Sequence, residues 1–177
     1  MFKRTLAVAA LALTVIAADS AVAQSDPHPN WSVAFGSGFV ADPEGYLMAF
    51  ELERRFASNF ALGALLQLGL EKDDTLVAPH GYARYIFQIE EPAAGELATI
   101  EPFLQAGLGF TYLDRDGTGR HRGDNTSFSM IFGGGLDYNF SEWFAIGSRM
   151  LVGVVPADVK GETAYFSWEI ARIRISF

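Results

Sequence analysis

A closed, eight-stranded, antiparallel up-and-down β-barrel that crosses a membrane is the fold the sequence predicts. Three observations carry it. From Trp31 onward, segment after segment alternates large apolar residues with small or polar ones. No stretch there keeps a 3.6-residue period, so helices are not expected. The chain also finishes on "ARIRISF" (171–177), with Ile173, Ile175 and Phe177 on one face and Arg172 and Arg174 on the other. A strand of that kind must bury one face or dissolve it in lipid.

Composition bounds the rest. Half of the 177 residues are hydrophobic and 18 are glycine, which describes one folded domain. There are no cysteines, so disulfides, thiolate metal sites and a lipidated cysteine are excluded. Three histidines leave little for a transition-metal cluster, and no cofactor is expected. The formal charge of −8 argues against nucleic acid, because tracking phosphates needs clustered Lys and Arg.

Residues 1–23 read as a cleaved secretory signal: Lys3 and Arg4 give a charged start, 6–18 an apolar stretch, and Ala21 and Ala23 the small residues of a cleavage site. The apolar stretch is short of the ~20 residues a helical span needs. Cleavage takes Lys3, Arg4 and Asp19 and changes the net charge from −8 to −9. Residues 24–30, "QSDPHPN", form a short periplasmic lead, and 31–177 the barrel domain.

The strands follow in order. The first is expected near 31–40, ended by "ADPEG" (41–45), and the second near 46–56, with Glu51 and Glu53 inward. After the tight turn "ASN" (57–59) the third, 60–71, sets Phe60, Leu62, Ala64, Leu66, Leu68 and Leu70 against Ala61, Gly63, Leu65, Gln67 and Gly69. The fourth, 75–88, follows "EKDD" and carries His80 and Arg84 inward; the fifth, 99–113, follows a ten-residue connection (89–98) and carries Glu101. The polar loop 114–125 leads to the sixth, 126–140, where Phe128, Met130, Phe132, Leu136, Tyr138 and Phe140 oppose Ser129, Ile131 and the inward Asp137. "SE" (141–142) turns into the seventh, 143–155, with Ile146, Met150 and Val152 opposite Gly147, Arg149 and Leu151. "PADVKGET" (156–163) precedes the eighth, 164–177, where Glu169 breaks the alternation and a bulge is expected near Ala171. Each strand can cross a bilayer at a tilt, which takes ~9–11 residues. Short turns on one side and mostly longer loops on the other fit a membrane barrel.

The bulky face must point outward. An eight-stranded barrel is only just wide enough inside for side chains to fill it, so the small and charged rows fit the lumen and the large apolar rows meet lipid. Closure satisfies every strand hydrogen bond internally, the condition for strands to exist in hydrocarbon. Aromatics mark strand ends in two belts: Phe56, Phe60, Phe87, Phe140, Trp143 and Phe177 on the short-turn side, and Tyr46, Phe110, Tyr112, Phe128, Tyr165 and Phe166 towards the long loops. Polar substitution at Gly63 or Gln67 is expected to be milder than a charge at Leu66.

With Phe177, Ile175, Ile173 and Ala171 at the end and the stretches "IEPFLQAGLGFTYL" (100–113) and "IFGGGLDYNFSEWFAIGSRM" (131–150), the chain resembles small outer-membrane β-barrels of the OmpA/OmpX type, in the broad outer membrane protein β-barrel domain group. The resemblance covers the whole mature chain. It implies the outer membrane of a Gram-negative bacterium as location, membrane lipid and lipopolysaccharide as surroundings, and a structural role; the peptidoglycan-binding domain that some family members carry is not expected, since the barrel segments run to residue 177. It also implies that Ala171, Ile173, Ile175 and Phe177 are read by the outer-membrane assembly machinery. A monomer is expected.

Glu51, Glu53, Glu101 and Asp137 then face Arg84, Arg149, Arg172 and Arg174 across the lumen, with His80 among them. Buried charges must be paired to be tolerated, so a salt-bridge plug is expected in place of a solute pore. Three alternatives stand beside this structural reading. Surface loops could serve adhesion, with Arg122-Gly123-Asp124 as a tripeptide that is also ordinary turn chemistry. The lumen could conduct. Some barrels of this size resemble lipid A deacylases or acyltransferases, using His, Ser and an acid; here 150–155 is apolar where a His-x-Ser would be expected, and His121 near Asp124, Ser127 and Ser129 lies in a glycine-rich loop. No enzyme is expected.

Overall fold

The computed structural model describes residues 30–41, 44–71, 74–87, 89, 99–115, 126–159 and 162–177. The expected signal segment, most of the lead, His121 and the Arg122-Gly123-Asp124 tripeptide lie outside the described residues. Eight strands run in chain order: β1 (Trp31–Ala41), β2 (Gly45–Ala57), β3 (Phe60–Leu70), β4 (Asp74–Ile86), β5 (Thr99–Arg115), β6 (Thr126–Ser141), β7 (Phe144–Val159) and β8 (Glu162–Ser176). Each pairs antiparallel with the next, and β1 pairs with β8, so the sheet closes on itself. Closure leaves no strand without two neighbours. At the seam the Phe177 amide donates to the Trp31 carbonyl at 2.8 Å, and the Trp31 amide donates back at 3.2 Å.

Expected and observed strands differ most beside the longer loops. β5 reaches Arg115, and β7 runs through Pro156 to Val159, which pairs with Glu162. The polar, Pro-containing sequence there reads as loop, but pairing with β8 extends the ladder past a register shift after Val154.

Alternation sets the two faces. Along β3, Phe60, Leu62, Ala64 and Leu70 are exposed while Ala61, Leu65, Gln67 and Gly69 are buried. Along β6, Phe128, Met130, Phe132, Leu136, Tyr138 and Phe140 are exposed while Ser129, Ile131 and Asp137 are buried. Phe50, Leu104, Leu108, Ile146, Met150 and Ile173 continue the outer surface. That surface is apolar all the way round, and in water it would be an aggregation surface. It is the face of a barrel whose outer solvent is lipid.

One phase change interrupts β8. Ala171 pairs with Ser37 and Glu169 with Gly38, and on the other side Arg172 pairs with Gly147 and Glu169 with Arg149. Ile170 and Ala171 therefore share one step of the ladder, and both are exposed. Before this bulge Tyr165, Ser167 and Glu169 point inward; after it Arg172 and Arg174 do. Ser148, on the lipid side of β7, donates to the Glu169 carbonyl at 2.9 Å and accepts from Trp168 Nε1 at 3.0 Å. Ser148 thus satisfies the Glu169 carbonyl and the Trp168 indole beside the bulge.

The belt at the short-turn end holds the expected Phe56, Phe60, Phe87, Phe140, Trp143 and Phe177, all exposed. At the long-loop end Tyr46, Phe110 and Phe128 are exposed, but Tyr165 is not part of the belt. It neighbours Phe166, and two successive strand residues face opposite sides. Tyr165 is buried and donates to Gln67 Oε1 at 3.2 Å.

Candidate functional site in the lumen

Inward rows from five strands converge on the short-turn half of the lumen. Glu51 and Glu53 (β2), Arg84 (β4), Asp137 (β6), Arg149 (β7), and Arg172 and Arg174 (β8) are all buried there. Glu51 is the hub. Arg84 Nη2 donates to both of its carboxylate oxygens at 2.9 Å, and Arg149 and Arg172 each donate to one. Arg84 Nη1 also lies 2.9 Å from Glu53 Oε2, which accepts from the Tyr82 hydroxyl at 2.9 Å. Arg172 Nη1 reaches both oxygens of Asp137, at 2.6 and 2.8 Å.

Nearer the mouth the same chemistry continues, partly open to water. Arg174 donates to Glu101 at 3.2 Å and to Asn139 Oδ1 at 2.5 Å. Arg55 holds Glu101 from the other side at 2.9 Å.

Three participants were not among the residues the sequence singled out. Glu169 accepts from Arg149 at 2.5 and 3.0 Å. Gln105 Oε1 accepts from Arg84 and Arg149, at 3.0 Å each. Arg55 is the third. Glu169 and Arg55 extend the four acids and four arginines of the sequence reading to five of each among the described residues. The signal for Glu169 was present: Phe166, Trp168 and Ile170 outward put 165, 167 and 169 inward.

Aromatic rings and glycines complete the packing. The Arg84 guanidinium sits 4.2 Å from the Phe103 ring centre and 5.3 Å from that of Tyr82. Its Nε and Nη1 make no hydrogen bond, and the rings' negative faces take up part of that positive charge. A Cβ at Gly147 would overlap the Asp137 carboxylate, one at Gly36 the Glu169 carboxylate, and one at Gly63 the Tyr82 hydroxyl. These glycines are the recesses in which charged and phenolic groups lie.

The long-loop half differs from the charged plug that the sequence suggested. Val40, Leu47, Leu65, Leu76, Leu113, Ile131, Leu151 and Val155 form one contiguous buried cluster. Tyr82 is its link to Glu53 and Arg84, and neutral polar pairs sit on its other side. Gln67 Nε2 donates to Ser167 Oγ at 2.8 Å. His80 Nδ1 lies 3.2 Å from the Ala78 carbonyl and Nε2 lies 2.9 Å from Ser129 Oγ. The carbonyl can only accept, so Nδ1 carries a proton, and in the neutral ring Nε2 accepts from Ser129. His80 is thus apart from the ion pairs. No group of His, Asp and Glu suited to a metal ion occurs among the described residues.

An apolar exterior, a closed ladder and an ion-paired interior together define a transmembrane barrel of the outer-membrane kind. Solved structures carry the same fold. The N-terminal β-barrel domain of Pseudomonas aeruginosa OprF superposes with a TM-score of 0.63 at 13% identity, over 85% of this chain and 98% of that one. Neisserial surface protein A (NspA) gives 0.61 at 14%, over 85% and 96%. The outer membrane enzyme PagL gives 0.54 at 16%, over 82% and 99%. No family model and no curated protein matches the sequence. The fold is therefore shared by an enzyme and by a surface protein, and does not by itself choose between such roles.

Proposed function

We propose that the chain is a non-enzymatic, monomeric component of the outer membrane, exported by a cleaved signal at 1–23, whose sealed barrel holds surface loops available for binding. The observation that carries this reading is the hub at Glu51, where arginines from β4, β7 and β8 meet on one carboxylate. Ion pairs tied across the lumen, with the buried apolar cluster above them, support a sealed barrel over an aqueous pore. Export to the outer membrane is supported by the lipid-facing exterior and by the fold's occurrence in outer-membrane proteins. Ala171, Ile173, Ile175 and Phe177 form an exposed outer row on β8 and its last residue, the row we assign to the assembly machinery.

The test combines cell fractionation, heat-modifiable gel migration and planar-bilayer conductance of the refolded protein. The expected result is outer-membrane recovery with an N-terminus at Gln24, a folded band of distinct mobility, and no steady current. A steady, ion-selective current would replace the sealed barrel with a pore.

Among the described residues the His80–Ser129 pair favours an enzyme, since a base touching a hydroxyl is the core of nucleophilic catalysis. Both residues are buried inside the wall beside the apolar cluster, where no lipid ester reaches them. Lipid A from cells expressing the protein should be the same with Ser129→Ala as with the parent chain, and a modification lost on that substitution would move the chain to the enzyme class.

A further inference from the structure

Closure gives every strand two neighbours, but one ladder stops short. β6 pairs with β5 as far as Tyr112 and Thr126, whereas its last partner on β7 is Val154, opposite Met130. In that register Phe128 would meet Pro156 and Thr126 would meet Asp158, and neither pair forms. β7 leaves its other ladder here too, because no residue between Val154 and Val159 pairs with β8. Facing residues of an antiparallel ladder alternately exchange both main-chain bonds or turn both away. The Pro102 carbonyl accepts from the Phe87 amide beside β4, so Pro102 and Leu136 turn away from each other. Counting by twos along the unbroken β5–β6 register, Phe128 and Thr126 also turn their N–H and C=O away from β5, towards β7. Pro156 has no N–H to offer the Phe128 carbonyl. The ladder ends one bonded pair before it.

These main-chain groups of Thr126 and Phe128 form an edge with no strand partner among the described residues. Both residues are exposed, and the Phe128 ring meets Phe110 edge-on, with centres 6.3 Å apart, in the belt at the long-loop end. The edge therefore begins at the membrane surface and runs into water. An unpaired edge is a template for one further strand. In the sequence, the four stretches at this end (41–45, 71–74, 114–125 and 156–163) carry ten acids against five bases, a field that draws in cations. We infer that Thr126 and Phe128 dock an extended, basic segment of another protein, added to β6 as an antiparallel strand. Main-chain bonds hold the segment, and the acidic loops choose its charge. The inference deepens the reading of this end as a binding surface, and rests on it.

Fluorescence anisotropy with the refolded mature protein in lipid nanodiscs tests it. The probe is a labelled peptide, Lys-Val-Thr-Val-Lys-Val-Thr-Val-Lys. Two controls are its version with Glu for Lys and a version N-methylated on both edges, which keeps the side chains and removes the donors. The parent protein should bind the basic peptide saturably and both controls at least tenfold more weakly. Thr126→Pro removes a donor from the free side and none from the β5 ladder, and should weaken binding roughly tenfold, the upper end for one hydrogen bond. Pro156→Val restores the missing donor and lets β7 close on β6, which should abolish binding. Heat-modifiable migration of each variant checks that the barrel has formed, and labelling of intact cells by the peptide tests separately that this end faces outward. No binding by the parent, equal affinity of the N-methylated peptide, or parental affinity in both Thr126→Pro and Pro156→Val would each overturn the docking edge.

Discussion

Arg149 shows how much rests on single side chains. It joins Glu51, Gln105 and Glu169 across the lumen, so truncating it leaves two carboxylates short of a partner. Arg149→Ala should lower stability by about 3–5 kcal/mol, the usual consequence of orphaning a buried charge, as read from denaturant unfolding of the refolded protein in micelles. Adding Glu169→Ala should recover part of that loss; strictly additive costs would deny the coupling. The glycines make a sharper contrast. Gly147→Ala must displace the Asp137 carboxylate from Arg172, whereas a methyl at the outward Gly81 meets nothing within 4 Å. Gly147→Ala should therefore destabilise while Gly81→Ala stays within about 0.5 kcal/mol of the parent. Equal effects would mean that the recesses are incidental. Gly63 belongs with Gly147: the sequence read it as a small lumen position where polar substitution costs less than a charge at Leu66, and the Tyr82 ring lies over it. Alternation tells which way a residue points, and not what folds over it from the neighbouring strand.

At the scale of the strand, phase is the information that the sequence carries best and loses most easily. In β3 and β6 a single period runs from end to end, and in β7 it holds from Phe144 to Pro156, so the greasy and small rows could be assigned residue by residue. β8 has two phases, and the sequence places their conflict near Ala171, with Phe166, Trp168 and Ile170 marking the outward row before it. Glu169 reads there only as a break in the outward alternation, and Tyr165 falls in the belt with Phe166 as an aromatic near a strand end. The backbone resolves the conflict at Ile170 and Ala171, where Ser148 bonds the carbonyl of Glu169. Deleting Ala171 removes the extra residue and leaves Glu169, Arg172 and Arg174 inward on one unbroken alternation, with Ile170 and Ile173 outward. The heat-modifiable band should therefore survive that deletion. Loss of the folded band would show that the bulge itself, and not only the phase on either side of it, is required. On a strand with one phase, Leu66→Arg should cost up to ~2–4 kcal/mol, the value for a charge facing lipid near the midplane.

For the whole molecule, the two halves of the lumen are different barriers in series. The ion-paired half opens partly to water at Glu101 and Arg55, so water that enters after a broken pair comes from that mouth. It then meets Leu65, Ile131 and Leu151, which are buried and apolar. All three lie on inward rows that the sequence had already listed beside the charges; what it lacked was their clustering, which depends on the stagger between strands. Hydrophobic constrictions stop ions by excluding water, and they do so without any charge of their own. Arg149→Ala alone should therefore remain electrically silent despite its lost stability. Leu151→Ser alone should also be silent, because the pairs around Glu51 stay intact below it. Both together join water from the two sides and should give openings in a planar bilayer. Conductance from Arg149→Ala alone, in protein that still migrates as a folded band, would make the ion pairs the only seal and reduce the apolar layer to packing.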